Sequence, residues 1–357
     1  MFTGTSLSRR SMALVAVLFS WGISAQAGEL VKPDNVAAPP VAEDMVTIPG
    51  SDWVLVSGIS IGKAAQPGIY AMRRLPLHLE KLSFDIAAAA DRRHCSALEE
   101  KTFSPLGITV GRDGDRNILL VINRGGRAAI ERFRVDGGSG KPRLTWEDCI
   151  PIPSEVSANS LSLLPTGDIY ITQTYDPADK ESWQRRVDGE DTGRLFHWSP
   201  RDGWQAAPVK PMSGPNGLVV SDDGCFAVVA AWSGSELVRQ SLPCASTGEK
   251  RPDKSLALSF MPDNLRWTSA GTVLATGQHT TPNGLLDCVK GKGECPSVLT
   301  VVEVDPASMK IVQKWRVDAG NDLGLATTAL QVGEEIWVSS ILGHRIARFP
   351  YQPAQVK

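Results

Sequence analysis

The sequence predicts an all-β chain folded as a six-bladed β-propeller, and three observations carry that prediction. A short β-rich run, a Gly or Asp turn and a second β-rich run recur six times, at a pitch of roughly fifty to sixty residues. Sustained helical periodicity is nearly absent. Most copies place an acid or amide side chain just ahead of the first run. A β-sandwich would also alternate strands and turns, but it gives no reason to repeat one motif six times, whereas radial repetition does and leaves only short, protected strand edges.

Taken in order, the 357 residues open with Arg9-Arg10, the apolar run Met12 to Phe19 and the small-x-small triplet Ala25-Gln26-Ala27. That order predicts a signal peptide over residues 1–27 and one propeller domain over 28–357. The run is too short to span a membrane. Ser8-Arg9-Arg10-Ser11 is compatible with the general secretory route or the twin-arginine route.

The six copies begin with Met45-Val-Thr-Ile-Pro-Gly and Trp53 to Ser57, then Gly107-Ile-Thr-Val and Ile118 to Ile122. They continue as Ser160 to Thr172, Gly217 to Val229, Leu265 to Thr276 and Thr328 to Ser339. Third runs follow, clearest at Ile130–Val135, Gly193–Trp198 and Arg345–Phe349. Two segments, His78 to Thr102 and Asp176 to Thr192, match no blade strand and read as long connections over one mouth of the channel.

A formal net charge of −2 with interspersed signs provides no basic field, which argues against nucleic acid or an anionic membrane as a partner. A small-molecule substrate is expected, with no membrane association after the signal is removed; oligomeric state is left open. The six cysteines all follow the signal and fit an oxidising, periplasmic or secreted setting. Cys225 and Cys244 lie equally far from the centre of a hairpin at Gly234-Ser235, which places them opposite one another. Cys288 and Cys295 close a short loop, and Cys95 with Cys149 remains by elimination. A zinc site is the rival reading, but no two cysteines have C-x-x-C spacing.

In a propeller the innermost strand of each blade starts at the channel, so residues just before it converge on one axis. Those positions are Glu43-Asp44, Leu106-Gly107, Asn159-Ser160, Pro215-Asn216, Asp263-Asn264 and Thr327-Thr328. Carboxylate and amide oxygens at four of the six are the hard ligands that calcium accepts in flexible coordination. The absence of histidine and cysteine there argues against zinc and copper.

Glu43-Asp44, Pro105-Leu-Gly-Ile-Thr, Asn159-Ser160, Pro215-Asn-Gly-Leu-Val-Val-Ser-Asp-Asp-Gly, Pro262-Asp-Asn-Leu and the closing Gly-His-Arg-Ile-Ala-Arg-Phe together resemble the paraoxonase/arylesterase family. That family sits within the gluconolactonase-like and strictosidine-synthase-like calcium-dependent propellers. The resemblance runs in order through nearly the whole chain after the signal. It implies a central calcium held by residues matching Glu43, Asn159, Asn216, Asp263 and Asn264. It also implies a second, structural calcium at Asp44 and the backbone near Ile108, although the usual aspartate of that site is Ser160 here. The family's hydrolases carry two histidines where this chain has Leu106 and Arg124, and neither of these can serve as a general base.

What remains for catalysis is the ion, which can polarise a substrate oxygen, and Asp263 as the nearest candidate base or nucleophile. Of the five histidines, His78 is expected in a loop, His94 in a connection, His197 in an outer strand and His344 in a turn. Only His279 is a catalytic candidate, because its strand returns toward the mouth. The expected function is a calcium-dependent hydrolase of lactones or aryl/phosphate esters. Alternatives are a non-hydrolytic propeller that binds a ligand or performs an isomerisation or condensation, and an interaction propeller with a structural ion.

Overall fold

The computed structural model describes Met1 and residues 30–61, 66–88, 94–137, 140–244, 252–320 and 323–354. The expected signal peptide and its cleavage site fall outside these residues. Six sheets form the six blades of a β-propeller. Their innermost strands are Ala42–Thr47, Pro105–Asp113, Ala158–Leu163, Pro215–Val220, Met261–Trp267 and Ala326–Val332, in blades 1 to 6.

Each innermost strand turns through a glycine at positive φ into the second strand. These glycines are Gly50, Gly114, Gly167, Gly224, Gly271 and Gly333, at φ between 62° and 89°. Glycine adopts that backbone without the steric cost a Cβ would bring, which is why one residue type recurs at this point of every copy. The blades pack through six apolar clusters, one per seam. Between blades 1 and 2, for example, Trp53, Leu55, Phe103, Phe133 and Trp146 are all buried. Burial of this kind contributes on the order of 25 cal/mol per Å2, and it fixes each blade against its neighbours.

The ring closes without a covalent bond. Asp34–Ala37 pairs antiparallel with Arg345–Pro350 as the outermost strand of blade 6, so this blade is built from two distant stretches of chain. Leu30–Val31 adds a parallel edge to Lys310–Asp318 of blade 5.

All three expected disulfides are present, Cys95–Cys149, Cys225–Cys244 and Cys288–Cys295, with Cα separations of 5.9, 4.8 and 5.1 Å. Among the described residues no helix is long and apolar enough to cross a membrane. One expected connection is corrected. His78 lies in a strand, His78–Leu82, which is the fourth of blade 1, and Phe84–Ile86 joins the edge of blade 2. Both are mostly exposed or half-buried outer strands, so they lack the apolar alternation that reveals an inner one. The other expected connection does bridge strands, Ile169–Gln173 and Arg194–Ser199 of blade 3, and carries a short helix, Ser182–Val187. Gln173 pairs with Ala158, so this connection leaves from the end at which the innermost strands begin.

Candidate functional site in the central channel

Every innermost strand is broken near its start by a register shift. In blades 2 to 6 two residues face one on the second strand: Leu106-Gly107, Asn159-Ser160, Asn216-Gly217, Asp263-Asn264 and Thr327-Thr328. In blade 1 Glu43 is the extra residue between the pairs Ala42–Gly58 and Asp44–Ser57. The candidate ligands therefore lie inside the strands, on a ring of six β-bulges, rather than just before them. A bulge re-aims a side chain without ending the strand.

Small hydroxyl residues on the second strands secure several bulges. Ser57 Oγ accepts from the Asp44 N–H at 3.1 Å, and Thr172 Oγ1 accepts from the Ser160 N–H at 3.0 Å while donating to the Asn216 carbonyl at 2.7 Å. Thr327 and Ser339 share a 2.9 Å bond. Gly217 lets the next blade approach, since a Cβ there would stand 2.3 Å from the Asp263 carbonyl oxygen.

This frame buries Glu43, Asn216, Asp263 and Asn264 and half-buries Asn159. Asn264 Nδ2 donates to Glu43 Oε1 at 3.1 Å and to the Glu43 carbonyl at 3.3 Å. Gln278 Nε2 donates to Asp263 Oδ2 at 2.7 Å, and Gln278 Oε1 accepts from Trp232 Nε1 at 2.9 Å. Four oxygens in this set are buried with no hydrogen-bond donor: Glu43 Oε2, Asn159 Oδ1, Asn216 Oδ1 and Asn264 Oδ1. A buried acceptor without a partner costs about 1–3 kcal/mol, so four on one ring call for a shared donor or cation. The donor set is all oxygen, and it fits calcium.

The electrostatics point the same way. Burial first, then the charges of Asp44 and Asp263, push the Glu43 carboxyl well above the usual carboxylate range. Burial also pushes Asp263 up to about 7, with Asp44 adding to it and the Gln278 bond, Arg186 and Asn216 opposing. A bound divalent cation reverses this balance, because its charge favours the ionised form of both acids. Among the described residues no three His, Cys, Asp or Glu side chains cluster as a metal site; the set here joins two carboxylates to three amides.

The place that the resemblance gives to a second calcium holds a guanidinium instead. Arg266 donates from Nη2 to Asp44 Oδ1 and, at 3.0 Å, to the Ile108 carbonyl. It also reaches the Met45 carbonyl from Nε and the Leu265 carbonyl from Nη1, both at 2.8 Å. Asp44 is fully buried and accepts three further bonds, from Met45 N, Thr328 Oγ1 and Ile108 N at 2.8, 3.0 and 2.9 Å. Its oxygens are satisfied within the protein, so these residues do not fit a second ion.

His279 is not brought to the ligand ring. Its Nε2 bonds Thr300 Oγ1 at 2.8 Å on the third strand of blade 5, and its ring lies 5.6 Å from that of Phe260. Burial and the charges of Lys314 and Arg316, on the fourth strand, hold its pKa low. The imidazole therefore points outward along the blade, away from Asp263. Leu106 and Arg124 line a shallow cavity of about 390 Å3 with Ser104 and Ile59, and Arg124 Nη2 donates to Ser157 Oγ at 2.5 Å.

Sequence reasoning missed three residues of this neighbourhood. Gln278 anchors Asp263, Arg266 sits under Asp44, and Arg186 lies buried against Trp232, with its Cζ 4.4 Å from the ring centroid.

Fold and ring define a six-bladed propeller with a polar, oxygen-rich site at one end of its channel. No protein-family model matches the sequence. A curated relative, Protein STRICTOSIDINE SYNTHASE-LIKE 13 of Arabidopsis thaliana, is 22% identical over 233 residues, covering 60% of this chain and 54% of the relative. The chain thus spans about half the length of the curated relative it matches. Among solved structures, a luciferin-regenerating enzyme superposes with a TM-score of 0.55 at 11% identity, covering 91% of this chain and 99% of that one. A gluconolactonase-like protein gives 0.50 at 14% identity, covering 89% and 92%. Regucalcin of Agrobacterium tumefaciens, a calcium-binding protein, gives 0.50 at 12% identity, covering 92% and 99%. At these identities the likeness to solved structures is one of fold.

Proposed function

We propose that this chain is an exported, calcium-dependent hydrolase of lactones or aryl/phosphate esters, of the paraoxonase/arylesterase type. The observation that carries the proposal is the set of four buried, donorless oxygens on one ring, Glu43 Oε2, Asn159 Oδ1, Asn216 Oδ1 and Asn264 Oδ1. Together with Asp263 they would hold one calcium ion, which supplies a Lewis acid for polarising a carbonyl or phosphoryl oxygen. Asp263 is held through one oxygen by Gln278, which fixes its orientation. With the ion's charge holding it ionised, the Asp263 carboxylate would be able to accept a proton from water. Asn264, tethered to Glu43 through its N–H2, keeps its carbonyl oxygen turned to the ring. The three disulfides support an oxidising compartment, reached by removal of residues 1–27.

The test is metal analysis of the purified protein joined to a panel of lactones, aryl esters and phosphotriesters. Calcium should be present, a chelator should abolish turnover, and Asn216→Ala should do the same with the fold intact. Turnover that persists after verified removal of calcium refutes the reading.

One observation favours a second reading. With Leu106 and Arg124 in place of a histidine pair, the mouth lacks a dyad for activating water, and a non-hydrolytic reaction such as isomerisation or condensation needs no activated water, its proton transfers falling to Asp263. Hydrolysis of several simple lactones at enzyme-like rates excludes it.

A further inference from the structure

Arg186 is a second buried cation near the channel and, unlike Arg266, meets no acceptor among the described residues. It is 8% exposed, and its Nε has no hydrogen-bond partner. The indoles of Trp232 and Trp183 stand 4.4 and 4.9 Å from Cζ. Ring contacts of this kind engage the flat faces of a guanidinium and leave its N–H edge for in-plane bonding.

Gly214, at φ +56°, makes room for this side chain. A Cβ there would lie 3.0 Å from Arg186 Nε and 2.7 Å from Ser233 Oγ. Ser233 Oγ is itself buried and unpartnered, as is Ser213 Oγ one residue before Gly214. One buried cation and one buried hydroxyl thus meet without partners at a single glycine, with a second unpartnered hydroxyl on the residue before it. A buried, unpaired charge is expensive unless an opposite charge completes it.

This cluster of side chains is wired to the ring. Trp232, against which Arg186 packs, donates to Gln278, and Gln278 donates to Asp263. Trp183 is 39% exposed, so one wall faces solvent. Burial lowers the Arg186 pKa to about 10, opposed by Asp263 and Tyr175 and assisted by Arg124, and the side chain remains charged at neutral pH.

We infer that Arg186, with Ser213 and Ser233 and the indoles of Trp183 and Trp232, forms a subsite for a carboxylate carried by the substrate. A carboxylate presents two coplanar oxygens that match the guanidinium edge, and the indole walls suit an adjoining flat or apolar group. The inference deepens the hydrolase reading, because it makes the substrate an anionic lactone or ester rather than a neutral one. It rests on that reading for the reaction but not for the binding.

Binding is measured by tryptophan fluorescence and calorimetry with the full-length protein stripped of calcium and transferred to chelator-free buffer, so that loss of calcium chemistry cannot mimic loss of the subsite. The probes are benzoate, its uncharged methyl ester and inorganic phosphate. Benzoate is expected to bind saturably and the ester not to. Arg186→Met should weaken benzoate roughly tenfold to a hundredfold. Arg186→Lys, which keeps the charge but not the fork, should recover only part of the loss. Ser213→Ala with Ser233→Ala should weaken binding while leaving the melting temperature unchanged. Benzoate and its ester binding equally, Arg186→Met binding as the wild type does, or phosphate outcompeting benzoate at equal concentration each overturn the assignment. Failure of every lactone assay with benzoate binding intact would remove the hydrolase and leave the subsite.

Discussion

Replacing Arg266 with methionine tests whether a guanidinium holds the centre of this ring together. The side chain belongs to blade 5 and donates to Met45 and Asp44 of blade 1 and to Ile108 of blade 2. Removing it leaves Asp44, fully buried, as a charge without its counter-ion. Breaking a buried ion pair from one side costs about 3–5 kcal/mol. With the 306 described residues and an unfolding entropy of about 2.1 cal/mol/K per residue, that cost lowers the melting temperature by about 5–8 °C. The assay is thermal melting by circular dichroism at a fixed scan rate, for Arg266→Met, Asp44→Asn and the double variant. Because the double variant removes both charges, it should melt above the sum of the two single losses. Calcium should also raise the melting temperature of Arg266→Met more than that of the wild type, since Asp44 and the Ile108 carbonyl are then free for an ion. An Arg266→Met protein that melts within about 1 °C of the wild type, against this range, would refute the role assigned to the guanidinium.

Other consequences are as direct. The Asp263 carboxyl titrates at about 7 in the folded protein, above its ordinary value, so the folded state binds a proton between about pH 4 and 7 that the unfolded chain has released. Metal-free protein should therefore lose stability as pH rises through that window, while calcium affinity should rise over the same window as the acid ionises; melting curves that are flat with pH in chelator would contradict this. His279→Gln should keep turnover within about twofold of the wild type, a change of under 1 kcal/mol in barrier, because the ring faces Thr300 and Phe260; a loss of a hundredfold would return His279 to the chemistry. Gly217→Ala should impair folding or calcium retention, since its methyl would meet the Asp263 backbone; wild-type metal content and melting temperature would show that the blades can part.

The positions of the polar ring were legible because a repeat places equivalent residues at equivalent places. Glu43, Asn159, Asn216 and Asp263 stand at the same point of four of the six copies, with Asn264 the residue after Asp263, and the apolar strand that follows marks each one. The bulge itself was not legible, since a two-to-one register exists only in the pairing of strands. A signal for it was present: Ser57, Thr172, Thr276 and Ser339 stand one or two residues before the end of the second strand in four copies, and all are buried hydroxyls near a bulge. Arg266 also left a trace. Its counterparts in the other copies are Val46, Thr109, Ser162, Val219 and Leu330, so it is the one charged residue at that position. Gln278 and Arg186 left none, because one acts through a neighbour and the other sits in a connection whose path the repeat does not fix. Outer strands such as His78–Leu82 escaped for the opposite reason: with both faces partly wet, they need no alternation of apolar and polar residues.

The pairing of Asp34–Ala37 with Arg345–Pro350 sets an order on assembly. Asp34 and Arg348 are joined side chain to side chain as well as strand to strand, across a sequence separation of 314 residues. A strand that leaves the ribosome early must wait for one made some three hundred residues later, and until then both are open edges able to pair wrongly. A chain cut short of residue 345 has five blades and a loose end, and nothing it can fold by itself will clasp the ring.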